Sequence, residues 1–152
     1  MKIRVLLVED HRMVREALRE VLTKVHGIEV VGEAGNAEDG FAQAQALHPD
    51  VIVLDIRLPD LNGIELAARI RDSGSTAKIV ALSAFSDKRF VTEMLRAGAS
   101  GYVTKAAAGS ELVQAIRAIH GGHGYFSPEI AGTLVADVRD GGDGSPGAAL
   151  AR

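Results

Sequence analysis

The chain contains no cysteine. That absence alone excludes disulfides, thiolate nucleophiles and cysteine-based zinc or iron–sulfur sites, and it is compatible with a reducing compartment. Basic runs are missing too: 17 Lys and Arg stand against 20 Asp and Glu, for a net charge of −3. Without the electrostatic footprint that a phosphate backbone demands, DNA contact by these residues alone is not expected. No apolar stretch approaches the roughly 18 residues of a membrane helix. Met1-Lys2-Ile3-Arg4 has none of the features of a signal peptide, so a cytoplasmic location without membrane contact is expected. What is present is the composition of a soluble globular chain, with 47% hydrophobic and 24% charged residues in 152. That length suits one domain with one core, burying about two-thirds of the surface of the unfolded chain.

Short apolar runs alternate with segments of helical period. The runs are Ile3–Val8, Ile28–Val31, Val51–Leu54, Ile79–Leu82 and Tyr102–Val103, and such runs suit strands buried on both faces of a parallel sheet. After Asp10, the residues Val14, Leu18, Val21, Leu22 and Val25 form one apolar helical stripe. Asn36 is a fitting N-cap for a second helix, which His48-Pro49 must end, because the residue before proline is pushed out of helical geometry. Further helices are expected over Ile64–Arg71, Asp87–Ala97 and Glu111–His120. Five β-α units with short connections imply an α/β fold, a parallel sheet with helices on both faces and right-handed crossovers. Ser127-Pro128 then reads as the start of a short extra helix over 127–136. Residues 137–152 read as a flexible linker, since eight of the twelve residues from Gly141 to Arg152 are Gly, Ala or Pro.

In an open sheet of this kind, ligands bind beyond the carboxyl ends of the strands. The residues found there are Glu9 and Asp10 after the first run, Asp55 after the third, Ser83 after the fourth and Lys105 after the fifth. Three carboxylates gathered together repel one another unless a cation lies among them. Oxygen-only donors favour magnesium, manganese or calcium. Asp55, at the end of an interior strand, is the candidate nucleophile, because a carboxylate can form an acyl phosphate. Lys105 supplies a counter-charge and Ser83 a hydroxyl donor to a phosphoryl oxygen.

Four segments then carry a specific resemblance. They are Val5-Leu6-Leu7-Val8-Glu9-Asp10, Asp55-Ile56-Arg57-Leu58-Pro59-Asp60-Leu61-Asn62-Gly63, Ala81-Leu82-Ser83-Ala84 and Gly98-Ala99-Ser100-Gly101-Tyr102-Val103-Thr104-Lys105. Spaced in this order, they make the chain similar to the response-regulator receiver domains of two-component signalling. The segment Ala115-Ile116-Arg117-Ala118-Ile119-His120-Gly121-Gly122-His123-Gly124-Tyr125-Phe126-Ser127-Pro128 resembles the end of NarL/LuxR-type receivers.

The resemblance implies a flavodoxin-like receiver fold over 1–126, with five parallel strands in the order 2-1-3-4-5. It also implies phosphorylation of Asp55 by a sensor histidine kinase. Magnesium, or manganese, would be held by Asp10 directly, by Glu9 through water, by Asp55, and by the main-chain carbonyl of Arg57. Ser83 and Tyr102 fall at the switch positions, and a homodimer formed on phosphorylation is the implied readout. In the family this subtype continues into a helix-turn-helix domain. DNA binding would therefore belong to a C-terminal domain not among these residues; a naturally solitary receiver, acting by protein contact, is the other reading. Ala106 stands after Lys105 where many receivers have proline, so a cis peptide there is not assumed. Arg57 and Phe85 are expected to flank the path of an attacking water and to slow loss of the phosphoryl group.

Plainer readings exist for the same residues. Glu9 and Asp10 could simply favour a helix N-terminus, Tyr102 could be an ordinary core aromatic, and Arg12, Arg15 and Arg19, on one side of the first helix, read as a solvated face, with a contribution to kinase docking as the other reading. His11 reads as a surface residue at the helix start. An aspartate-dependent phosphatase of the haloacid-dehalogenase kind would need a second aspartate two residues beyond Asp55, where Arg57 stands and cannot donate a proton. A flavin protein would want a hydroxyl-rich phosphate loop where Glu9-Asp10 would repel phosphate. The expected role is therefore a signalling switch that turns over no metabolite.

Overall fold

The computed structural model describes residues 2–84, 88–128, 130 and 131. Its elements are β1 (Ile3–Val8), α1 (Arg12–Thr23), β2 (Ile28–Ala34), α2 (Ala37–Leu47), β3 (Val51–Asp55), α3 (Gly63–Asp72), β4 (Lys78–Ser83), α4 (Lys88–Arg96), β5 (Gly101–Thr104), α5 (Ala108–His120) and β6 (Tyr125–Phe126). The strands form one sheet in the order β2-β1-β3-β4-β5-β6, and every neighbouring pair is parallel. The expected order 2-1-3-4-5 is therefore present, with one addition. A sixth strand of two residues, Tyr125–Phe126, pairs with Gly101 and Tyr102 along the outer side of β5. Two residues behind a glycine-rich turn show no periodicity, which is why the alternation that revealed the other five could not reveal this one.

Alternation along each strand sorts the core into two layers. Val5, Leu7, Val51, Val53, Val80, Leu82 and Val103 pack with Leu18 and Leu22 of α1 and Leu112, Ile116 and Ile119 of α5. Leu6, Val8, Ile52, Leu54, Ile79, Ala81 and Tyr102 face the other way, onto α2, α3 and α4. Because the central strands are buried on both faces, their sequences read as unbroken apolar runs rather than as alternating ones.

Helix ends follow local chemistry. The Asn36 side chain accepts the Asp39 N–H at 2.8 Å, a cap that satisfies one of the free donors of α2. The same helix receives a second grip: Asp60 accepts the N–H groups of Ala37 at 2.8 Å and Glu38 at 3.0 Å. These two bonds hold the Asp60 carboxyl below its usual range. They also tie α2 to the loop that follows Asp55. Gly63, at the start of α3, lets that loop close: its N–H donates to the Ile56 carbonyl at 2.7 Å. A Cβ there would press on the Asp55 carbonyl oxygen and lie 2.8 Å from Ile56 Cα, so only glycine permits this approach.

The chain beyond β6 is also part of the packing. Ser127 and Ile130 are fully buried, and Ile130 joins the core layer that contains Tyr102. The Ser127 carbonyl accepts from Ile130 and Ala131, each at 2.9 Å, as at a helix start. The remainder of the expected extra helix, from 132, and the whole expected linker lie outside the described residues. Phe85 and the expected helix start at Asp87 do so as well.

Candidate functional site

The same alternation that sorts the core also decides which polar side chains meet. Glu9 continues the facing of Val5 and Leu7, Asp55 that of Val51 and Val53, and Lys105 that of Val103. All three therefore emerge at the carboxyl end of the sheet on its α1/α5 side. There the Lys105 ammonium lies 2.9 Å from Glu9 Oε1 and donates to Asp55 Oδ2 at 3.0 Å. Both carboxylates are buried, with side chains only 2% and 3% exposed, whereas the lysine is 22% exposed. Burial by itself pushes the ammonium down. The carboxylates of Glu9 and Asp55 outweigh that and hold it above the ordinary lysine value. Lys105 is therefore charged across the physiological range.

Backbone contacts fix the rest. The Arg57 N–H donates to Asp55 Oδ1 at 3.2 Å, the Lys105 N–H to the Ser83 carbonyl at 2.8 Å, and the Ile56 N–H to the Leu82 carbonyl at 3.2 Å. Glu9 Oε2 accepts the His11 N–H at 3.0 Å. Its other oxygen, Oε1, has the charge contact with Lys105 but no aligned hydrogen bond. Asp10, His11, Asp55, Arg57, Ser83, Ala84 and Lys105 line one open cavity of about 320 Å³.

Ligand atoms of Glu9, Asp10 and His11 lie within 4.8 Å of one another. Carboxylate oxygens, one of them buried without an aligned hydrogen bond, are the donor chemistry of a hard divalent ion, so the residues present fit such an ion. Glu9, Asp10 and Asp55 bear three formal negative charges and Lys105 one positive, a deficit of two that a divalent cation matches.

Each residue singled out from the sequence can now be located. Glu9, Asp55 and Lys105 form one ion-paired chain, Asp10 stands partly exposed beside it, and Arg57 and Ser83 border the same cavity. Tyr102 is apart from this group, its ring wholly buried in the layer facing α3 and α4. His11, read as a surface residue, is exposed yet borders the cavity, its Nδ1 3.6 Å from Asp10 Oδ1.

Two contributors were missed in the sequence. Arg15 belongs to the helix face read as solvated, yet its guanidinium donates to the Glu9 carbonyl at 2.7 Å and pairs with Glu33 at 3.2 Å. Thr104 is buried beside Ser83 in the strand register. The stripe of arginines gave no hint that one of them turns inward, because only the tertiary position of β2 supplies Glu33.

Comparison with known proteins gives this geometry its family. A model described as the response regulator receiver domain matches residues 5–117. The response regulator GacA of Pseudomonas viridiflava is 40% identical over 132 residues, which are 87% of this chain and 62% of that protein. UvrY of Escherichia coli K12 is 37% identical over 129 residues, 85% of this chain and 59% of that protein. The chain thus spans about three-fifths of the length of these relatives. Among solved structures, a two-component response regulator of the LuxR family from Aurantimonas sp. SI85-9A1 superposes with a TM-score of 0.86 at 37% identity, covering 90% of this chain and 98% of that one. The parallel sheet, the buried carboxylate pair bridged by lysine and these matches together show that the chain belongs to the response regulator receiver domain family, on the NarL/LuxR-type branch.

Proposed function

We propose that this domain is a phosphorylation-dependent switch whose acceptor is Asp55. The observation that carries the reading is the Lys105 ammonium held between Glu9 and Asp55, which sets a positive charge against a buried carboxylate oxygen at the mouth of a cavity. An ionised carboxylate is the nucleophile that acyl-phosphate formation requires. One Asp55 oxygen attacks the phosphorus of a phosphohistidine on a sensor histidine kinase. The O–P bond forms as the N–P bond breaks, and the departing imidazole takes up a proton.

Lys105 shifts its charge from the free carboxylate toward a phosphoryl oxygen, and Ser83 donates its hydroxyl to another. Asp10, Asp55, the Arg57 carbonyl and Glu9, the last through water, would hold magnesium or manganese. When bound, that ion neutralises charge on the transferring group. Loss of the phosphoryl group is the attack of water on phosphorus, releasing inorganic phosphate and restoring the carboxylate. Arg57 borders the approach. Nothing in this cycle turns over a metabolite.

Receiver domains act by shifting an existing equilibrium between conformers. In this chain Ser83 of β4 and Tyr102 of β5, on the same face of the sheet, are the elements we assign to that shift, with homodimerisation as its readout. Because the relatives are longer, we assign transcriptional output to a C-terminal DNA-binding domain of the full protein, in the cytoplasm, with residues 137–152 as the linker toward it.

The test is incubation of the 152-residue chain with magnesium and a small acyl-phosphate donor, followed by intact mass and sizing. One added phosphoryl group in the wild type and none in Asp55→Asn is expected. Equal labelling of both would remove Asp55 as the acceptor.

A further inference from the structure

Among the buried side-chain atoms described, the Thr104 hydroxyl stands out. Its residue is 5% exposed, and Oγ1 has no hydrogen-bond partner. A buried donor without a partner costs free energy, so its retention in a native fold calls for a physical reason. The backbone around it is pinned. The Thr104 N–H donates to Ser127 Oγ at 3.2 Å, and the next N–H, that of Lys105, donates to the Ser83 carbonyl at 2.8 Å. With the backbone held, rotation about its own side-chain bond is the direct way for the hydroxyl to find a partner.

Ser83 is its cross-strand partner in the parallel β4/β5 register. Alternation places both on one face: Ser83 continues Ile79 and Ala81, and Thr104 continues Tyr102. Neighbouring strands lie about 4.8 Å apart, so two hydroxyls on directly paired residues are within reach of each other by rotation. Ser83 also borders the cavity that holds Asp55, which Thr104 does not. The three residues thus lie in sequence across β3, β4 and β5, with Ser83 in the middle.

We propose that Thr104 is a positioning residue for Ser83: its hydroxyl donates to Ser83 Oγ when the Ser83 hydroxyl donates to a phosphoryl oxygen on Asp55. This rests on the acceptor role proposed above for Asp55. Ser83 Oγ then donates one bond and accepts one while Thr104 Oγ1 donates one, and the two bonds strengthen one another. The unpaired donor of the unphosphorylated chain gains its partner only in the phosphorylated one, so it biases the equilibrium toward that state.

The experiment measures binding of beryllium trifluoride with magnesium, a phosphoryl analogue, by calorimetry on the full chain. Thr104→Val keeps the shape and removes the hydroxyl; Thr104→Ser restores the hydroxyl. We expect Thr104→Val to weaken binding about five- to tenfold and Thr104→Ser to stay within about twofold of wild type. Thr104→Val should melt no lower than wild type, and on a Ser83→Ala background it should have no further effect on binding. Unchanged binding in Thr104→Val, an equal loss with and without Ser83, or a lower melting temperature for Thr104→Val would overturn the proposal. Wild-type binding that survives Asp55→Asn would instead remove the acceptor reading beneath it.

Discussion

The two faces of the sheet carry different chemistry at the same end. On the α1/α5 side, the buried carboxyls of Glu9 and Asp55 are paired within 3.0 Å with the partly exposed Lys105 ammonium. On the α3/α4 side, Ser83, Tyr102 and Thr104 are neutral, and each is at most 5% exposed. One residue of strand register separates the two sets, since a side chain moved by one position changes face. Under the proposed function the difference is a division of labour: the charged side would fix a phosphoryl group and a cation, whereas the hydroxyl side would rotate in response without exposing a charge to the core.

The comparison can be broken most forcefully at Lys105. Lys105→Ala should slow phosphoryl uptake on the order of a hundredfold, the scale of losing one preorganised charge donor. Uptake rates by intact mass would show it. If the loss equals that of Ser83→Ala, the two faces are not distinct in role.

Next comes the loop that presents Asp55. Gly63→Ala forces a Cβ against the Asp55 carbonyl and should lower stability by about 1–3 kcal/mol, measured by urea unfolding. A neutral effect would mean the loop is not closed as described.

Alkaline titration sharpens the contrast further. The Lys105 value is raised by its carboxylates, so its stabilising contribution is full below the unfolded lysine value of about 10.4 and disappears as pH rises through the higher folded value. In Lys105→Met this component of the alkaline decline should vanish, as followed by melting temperature against pH.

The smallest effect is expected at Asp60, whose carboxyl is held low by the Ala37 and Glu38 N–H groups. Its grip on α2 is present above the unfolded aspartate value, about 3.9, and is lost as pH falls through the lower folded one. Asp60→Asn should shift acid unfolding only slightly, while leaving phosphoryl uptake unchanged.

Much of this arrangement is legible in the sequence itself. Apolar runs located five strands, and the rule that strand ends converge brought Glu9, Asp10, Asp55, Ser83 and Lys105 to one rim. The Asn36 cap and the stop at His48 were readable because they depend on neighbours in sequence. What could not be read depends on partners distant in the chain. Tyr125–Phe126 becomes a strand only because β5 leaves an edge beside it. Arg15 turns inward only because Glu33 is there, and Thr104 acquires meaning only through its register with Ser83. The pairing of Lys105 with Glu9 as well as Asp55 follows from strand alternation, a step the spacing of motifs alone does not supply.

The central claim is that Asp55, and no other group in the cavity, takes the phosphoryl group. Borohydride reduces an aspartyl phosphate at its carbonyl to the alcohol, so peptide sequencing after labelling and reduction marks the acceptor. The account predicts homoserine at position 55 in labelled protein alone. Reduction at Glu9 or Asp10, or phosphate found on His11 or Ser83 with residue 55 unaltered, would contradict it.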